Sequence, residues 1–263
     1  MIGNKPSIYN AQSVYNQGGG GSSFDVVVND ITTKMIFPPY LVPVEYIDTS
    51  ALNTSQYNVF FTPKKFTTKN TYKIVTVFSF LENVIDENNN LNYIFFAHAP
   101  LGYGTDNSIN IYFALVSFGR YAYRYGGKNF LIDQPGLFVT TDKLRAILDC
   151  STGLFTLTDE SGHVKTKSET PNYSFGPMGQ FSVFGDSATN PPGQFRGKFR
   201  YMYILDGDNV VALYVPAREK ETNSLFIVDC VSGNVGGNLA TNDDSLLTYG
   251  PDIDLSQIQD YFT

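Results

Sequence analysis

The chain has 263 residues, of which 42% are hydrophobic and only 16% charged, with 21 phenylalanines, 18 tyrosines and no tryptophan. Eighteen basic residues against 25 acidic ones give a formal charge of −7, and no basic run exceeds Lys64-Lys65, so nucleic acid is excluded as a partner for want of an electrostatic footprint. No window approaches roughly 18 continuous apolar residues and the first residues lack a signal-peptide pattern, so neither membrane insertion nor export by that route is expected.

Residues 1–23 are small and polar, carry the isolated anchors Ile8, Tyr9, Val14 and Tyr15, and end in a glycine-serine linker. Such a segment cannot bury a core of its own. It reads as an N-terminal arm that orders when laid on another subunit, with those four residues as docking plugs. Residues 24–43 read as an extended connector with one or two short strands over Phe24 to Met35, followed by the proline-rich IFPPYLVP.

From residue 44 the pattern is that of strands. Tyr72 to Leu81 is apolar on both faces, Tyr72, Ile74, Phe78 and Phe80 opposite Val75, Val77 and Leu81, which marks a central strand. Ile109 to Phe118 reads as another strand, and Tyr121, Tyr123 and Tyr125 alternate with arginines in a short one. Leu144 to Asp149 pairs in sequence with Leu154 to Leu157, and further strands are expected at His163 to Lys167 and Phe181 to Phe184. Strands of this length with turn signals every eight to twelve residues or so form a two-sheet sandwich. Cys150 and Cys230 lie in similar contexts, Asp-Cys-Ser-Thr-Gly and Asp-Cys-Val-Ser-Gly, and are expected to be unpaired strand-end thiols.

The segment Gln194 to Leu205 alternates, with Phe195, Phe199, Tyr201, Tyr203 and Leu205 on one side and Gln194, Arg196, Lys198 and Arg200 on the other. That predicts a half-buried strand. Asp206-Gly207-Asp208-Asn209 supplies the turn, and Val210 to Val215 returns until Pro216 stops it. Helical periodicity is confined to Leu255 to Phe262, where Ser256 is the expected cap.

The order of these parts is similar to the C-terminal half of the concanavalin A-like, LamG-like jelly-roll domains of bacteriophage tail, fibre and baseplate proteins. The parts are Tyr201, Tyr203 and Leu205, then Asp206-Gly207, Val215-Pro216, Ala217-Arg218, Asp229 with Gly233, and Gly250-Pro251. Val44 to Pro63 resembles the family's first core strand pair, with departures at Val59-Phe60-Phe61 and in the insertion-like run Asp86 to Asn92. The resemblance implies an all-β, two-sheet antiparallel jelly-roll sandwich over residues 44–253, with residues 254–263 as a tail. It also implies a virion structural or display protein, assembled in the bacterial cytoplasm. Its expected partners are other virion proteins, further copies of itself (a trimer favoured) and a host-surface glycan.

Catalysis is not expected. Glycosidases of such folds need two carboxylates flanking the sugar bond, and of the seven glutamates only Glu219 and Glu221 stand two apart, in a lysine-containing turn. No G-x-S-x-G turn supports a serine nucleophile. His98 and His163 read as structural or surface residues, and the two cysteines and two histidines have no zinc spacing. No cofactor is expected. Candidate glycan contacts are Tyr103, Asp106 and Asn107 in one polar loop, whose side chains also suit calcium when carbonyls join them, and Tyr123 and Tyr125 as a stacking strip. Each has a plainer reading, as turn residues or as packing tyrosines. A free carbohydrate-binding lectin and a polysaccharide hydrolase of the same fold are the alternative functions.

Overall fold

The computed structural model describes residues 21–51, 69, 71–80, 143–168, 197–237 and 246–262, and as strand backbone 95–98, 109–110, 121–125, 128–132 and 180–183. The strands in chain order are β1 (Ser22–Val28), β2 (Ile31–Phe37), β3 (Leu41–Pro43), β4 (Ile47–Asp48), β5 (Tyr72–Phe80) and β6 (Phe95–His98). They continue with β7 (Ile109–Asn110), β8 (Tyr121–Tyr125), β9 (Lys128–Ile132), β10 (Leu144–Asp149), β11 (Leu154–Asp159) and β12 (Val164–Ser168). The last are β13 (Gln180–Val183), β14 (Gly197–Asp206), β15 (Asn209–Glu219), β16 (Leu225–Asp229), β17 (Asn234–Gly237) and β18 (Thr248–Tyr249), before a 3-10 turn (Leu255–Gln257) and the helix α1 (Ile258–Tyr261). Among the described residues an 11-stranded sheet runs β12-β11-β10-β5-β14-β15-β16-β17, with β3 beside β15 and β4 and β18 branching from β14. A second sheet of five strands runs β13-β6-β7-β8-β9, and β1 and β2 form a separate ribbon. The described residues are all-β, in antiparallel sheets, as expected.

β5 is central, between β10 and β14. One face of the large sheet carries Val75, Val77, Tyr201, Tyr203, Leu205, Leu213, Val215 and Val228, which pack with Val26, Val28, Met35 and Phe37 of the ribbon and with Ile258 and Phe262. The opposite face is also buried, through Ile74, Phe78, Leu148, Phe155, Met202, Ile204, Tyr214 and Ile227. Residues 24–43 and 254–262 therefore share one core with the sheet. The ribbon turns through Asn29 (φ 52°) and Asp30 (φ 64°), the pair of left-handed residues that a two-residue hairpin turn demands and that these side chains tolerate.

Two expectations about β14 and β15 are corrected. Pro216 does not stop the strand; β15 runs on to Glu219. β15 changes partner at that point, from β14, last paired at Tyr214, to β3, paired from Ala217. The Pro216 carbonyl accepts the Val44 N–H at 3.0 Å, so the proline sits where one ladder ends and the next begins, and only the single return bond to Val44 is missing. Phe199 does not share a face with Tyr201. A β-bulge between them sets Phe199 opposite Phe78 and Tyr201 opposite Val77, two residues on opposite sides of β5, because the extra residue reverses the side-chain parity. β14 is half-buried only near its start, since Met202 and Ile204 are both fully buried.

The C-terminal cap is also corrected: Asp254, not Ser256, accepts the Ser256 N–H, at 2.9 Å. α1 is held by aromatics. Tyr201 lies edge-on to Tyr261 and Phe262 at centroid distances of 5.1 and 5.4 Å, and the Tyr261 hydroxyl points at the carbonyls of Glu45 and Arg200. Burial pushes the Tyr201 phenol up to about 12. The Gly250-Pro251 segment lies along residues 43–47, with Gly250 N–H on the Tyr46 carbonyl at 3.0 Å and Glu45 N–H on that of Pro251 at 2.9 Å. Arg218 grips Asp252 with two bonds, Nε to Oδ1 at 2.7 Å and a terminal nitrogen to Oδ2 at 2.5 Å. The Val-Pro-Ala-Arg and Gly-Pro-Asp elements of the sequence are thus one clamp.

Candidate functional site

Antiparallel pairing with an intervening strand makes β10, β14 and β16 run the same way. Their C-terminal turns consequently emerge at one end of the sheet. The turn after β14 has Gly207 at φ 59° as its first central residue, as a two-residue hairpin with glycine leading requires. The turn after β10 closes when Gly153, at φ 68°, gives its N–H to the Asp149 carbonyl at 2.8 Å.

A cleft of about 390 Å³ opens between these turns and the Asn29-Asp30 turn of the ribbon. Its walls are Asn29, Asp30, Thr71, Lys73, Asp149, Ser151 and Asp208, with Ile31 and Leu205 as the apolar contribution. Asp206 braces the rim: Lys69 Nζ and Thr71 Oγ1 each donate to its carboxylate at 2.7 Å, and these donors hold it below the usual carboxylate range. Burial opposes ionisation of Asp149, but the Ser151 N–H and hydroxyl at 2.9 and 2.6 Å and the Thr152 N–H outweigh it, and its pKa is lowered. Asp208, Asn29, Asp30 and Ser151 are exposed. The result is a concave set of carboxylates, amide, hydroxyls and an ammonium, which can exchange hydrogen bonds with a ligand rich in hydroxyls.

The chemistry of reaction is less well represented there. The Ser151 hydroxyl donates a hydrogen bond to Asp149, with no imidazole between them among the described residues, and His163 pairs with Asp159 at 2.9 Å at the other end of the sheet. Asp159, Asp206, Asp252 and Asp254 are, like Asp149, all held below the usual range by their donors. A retained proton for general acid work would need the reverse shift. Among the described residues no group of three or more His, Cys, Asp or Glu is placed to hold a metal ion, and no helix is long and apolar enough to cross a membrane.

No family model matches the chain, and no curated protein matches it. Among solved structures it is similar to the native heptameric SAP-like pentraxin from Limulus polyphemus, at 10% identity and a TM-score of 0.46, over 73% of this chain and 94% of that one.

Of the residues singled out from sequence, Tyr103, Asp106 and Asn107 lie outside the described residues, as do the arm anchors Ile8, Tyr9, Val14 and Tyr15. Tyr123 and Tyr125 fall in β8, opposite Phe130 and Lys128 of β9. Cys150 and Cys230 are both buried. Their strands are four strand spacings apart in the sheet, about 19 Å, far beyond disulfide reach. Of the cleft residues, the sequence names Leu205, Gly207 and Asp208 only as parts of the β14–β15 hairpin and none as a site. Asn29-Asp30 between two alternating runs was a visible turn signal, and so was Asp149-x-x-x-Gly153; that they converge on Asp208 required the strand order.

Proposed function

We propose that this chain is a non-catalytic display and recognition module of a bacteriophage particle, binding a hydroxyl-rich glycan in the cleft between the β1–β2, β10–β11 and β14–β15 turns. The observation that carries the binding half is the cleft itself: seven polar walls, two apolar ones, and the carboxylates of Asp149 and Asp206 braced by their donors and held below the usual range. Sugar recognition uses such convergent polar groups on a rigid frame, and these sit on hairpin ends of a packed sheet rather than on long loops. The particle half rests on the order of sequence parts shared with phage jelly-roll domains and on the composition of residues 1–23. Copies of the chain would associate through that arm into a closed homo-oligomer, with the cleft ends displayed outward.

The decisive experiment presents the full chain to an array of neutral bacterial-surface oligosaccharides and follows any hit by titration calorimetry. Asp208→Ala and Lys73→Ala should each weaken the hit at least tenfold with unchanged melting. Equal affinity in both variants would remove the cleft from the reading. Light scattering of the full chain beside one beginning at Gly21 tests the arm; a monomer in both cases counts against assembly through residues 1–20 and favours a free lectin.

A further inference from the structure

A second feature lies away from the cleft, on the branch formed by β4 and β18. Tyr46 is wedged there against the backbone of Gly250, where a β-carbon would stand 2.7 to 3.0 Å from three ring carbons. Two cations lie over the ring, Lys198 Nζ at 4.6 Å from its centroid and the Arg200 guanidinium carbon at 5.3 Å. The bulge at Arg200 turns Phe199 to the opposite face and leaves both cations beside the tyrosine.

The charges do not balance within this group. Arg200 is tied to the Glu45 carboxylate through one terminal nitrogen, yet its Nε is buried and makes no hydrogen bond. Lys198 has no ion-pair partner within 4.0 Å among the described residues; Asp48 stands opposite it in the register, but the Asp48 carboxylate accepts the Ser50 N–H at 2.8 Å. Beside the paired and largely buried Arg200, a partly exposed cation without an ion pair is the group that an incoming acceptor completes. The aromatic face holds both cations in place without neutralising them.

We propose that Lys198 and Arg200, mounted on Tyr46, form a binding site for an oxyanion group of an acidic polysaccharide, a uronate carboxylate or a sugar sulfate. Lys198 makes the direct contact, Arg200 adds its charge beside it, and the exposed Thr248, across Asp48 from Lys198, offers a neighbouring hydroxyl. A polysaccharide bearing one charge per sugar suits two cations on an otherwise acidic chain of formal charge −7. A duplex, with a charge every 1.7 Å or so, would meet net repulsion. The site is independent of the cleft and stands or falls without it.

The test titrates the full chain with a galacturonate hexamer, with a sulfated oligosaccharide of equal length and with neutral maltohexaose, at low and at physiological salt. The two charged oligosaccharides are expected to bind, more weakly as salt rises, and maltohexaose is not expected to compete with them. Lys198→Gln should lose at least tenfold in affinity and Lys198→Arg should retain it, both with unchanged melting, while Asp208→Ala leaves binding unaffected. If one charged probe binds and the other does not, the oxyanion is assigned to that group. Undiminished binding by Lys198→Gln, no binding of either charged probe at millimolar concentration, or tighter binding of a single-stranded DNA oligomer would overturn the proposal.

Discussion

The turns after β10 and β16 share the sequence Asp-Cys-x-Ser/Thr-Gly or close to it, and the same backbone bonds. Each glycine N–H returns to the aspartate carbonyl, at 2.8 Å for Gly153 and 2.7 Å for Gly233, and each cysteine N–H reaches the neighbouring inner strand, on Tyr72 and Leu213. Yet their side chains face opposite ways. Asp149 stands in register with Lys73 and looks into the cleft, whereas Asp229 is opposite Tyr214, fully buried, with Cys230 rather than Asp229 on the face that packs against the ribbon. The cause is stagger: Asp229 stands level with Tyr214, Met202, Thr76 and Ala146, and Asp149 lies three residues beyond Ala146. An odd offset puts the two aspartates on opposite faces. A local motif therefore fixes a turn, and the register of the strands fixes whether that turn builds core or surface.

The comparison can be broken most forcefully at Asp229. Its carboxylate accepts the Leu213 N–H from the adjacent strand at 3.2 Å and the Ser232 hydroxyl at 2.5 Å. Asp229→Ala leaves buried donors open and should cost about 3 kcal/mol in urea unfolding. An intermediate loss, about 2 kcal/mol, is expected for Gly250→Ala, which forces the Tyr46 ring off its seat through overpacking. Asp149→Ala, whose bonds are all within its own turn, should cost only about 1 kcal/mol. Equal losses at Asp149 and Asp229 would mean that burial does not separate the two turns.

A smaller effect sharpens the same contrast by pH. Asp149, Asp159, Asp206, Asp252 and Asp254 have lowered pKa values in the folded chain. The stability they contribute is present above the unfolded carboxylate value of about 3.9 and disappears as pH falls through their folded values. Melting temperature should hold between pH 7 and 5 and drop below about pH 4. Lys69→Gln should make that acid drop slightly shallower by removing the leading cause of the Asp206 shift, and an unchanged profile would assign the drop to the other carboxylates.

Much of the strand layout was legible because alternation and turn residues are local signals. Tyr72 to Leu81 was read as central from its two apolar faces and β5 is central; Leu144 to Asp149 and Leu154 onward pair as read. Pro216 was misread because whether a missing N–H matters depends on which strand lies across from it. Ser256 was misread in favour of the residue two places earlier, a displacement within the ordinary uncertainty of helix ends. The cleft was illegible for a different reason: its walls come from positions 29–31, 71–73, 149–151 and 205–208, which no periodicity links.

What the amino-acid order determined by itself is the all-β class, the hairpin at Asp206 to Asn209, the central place of Tyr72 to Leu81 and the acidic, aromatic-rich character of the chain, each a consequence of local sterics, burial pattern or composition. Only the tertiary structure decided that three hairpin turns would share one end of the sheet, that a bulge would re-aim Phe199 and a three-residue stagger would bury Asp229, and that Lys198 and Arg200 would sit on one tyrosine. Those outcomes depend on register across strands far apart in sequence, where a shift of one residue exchanges core for surface.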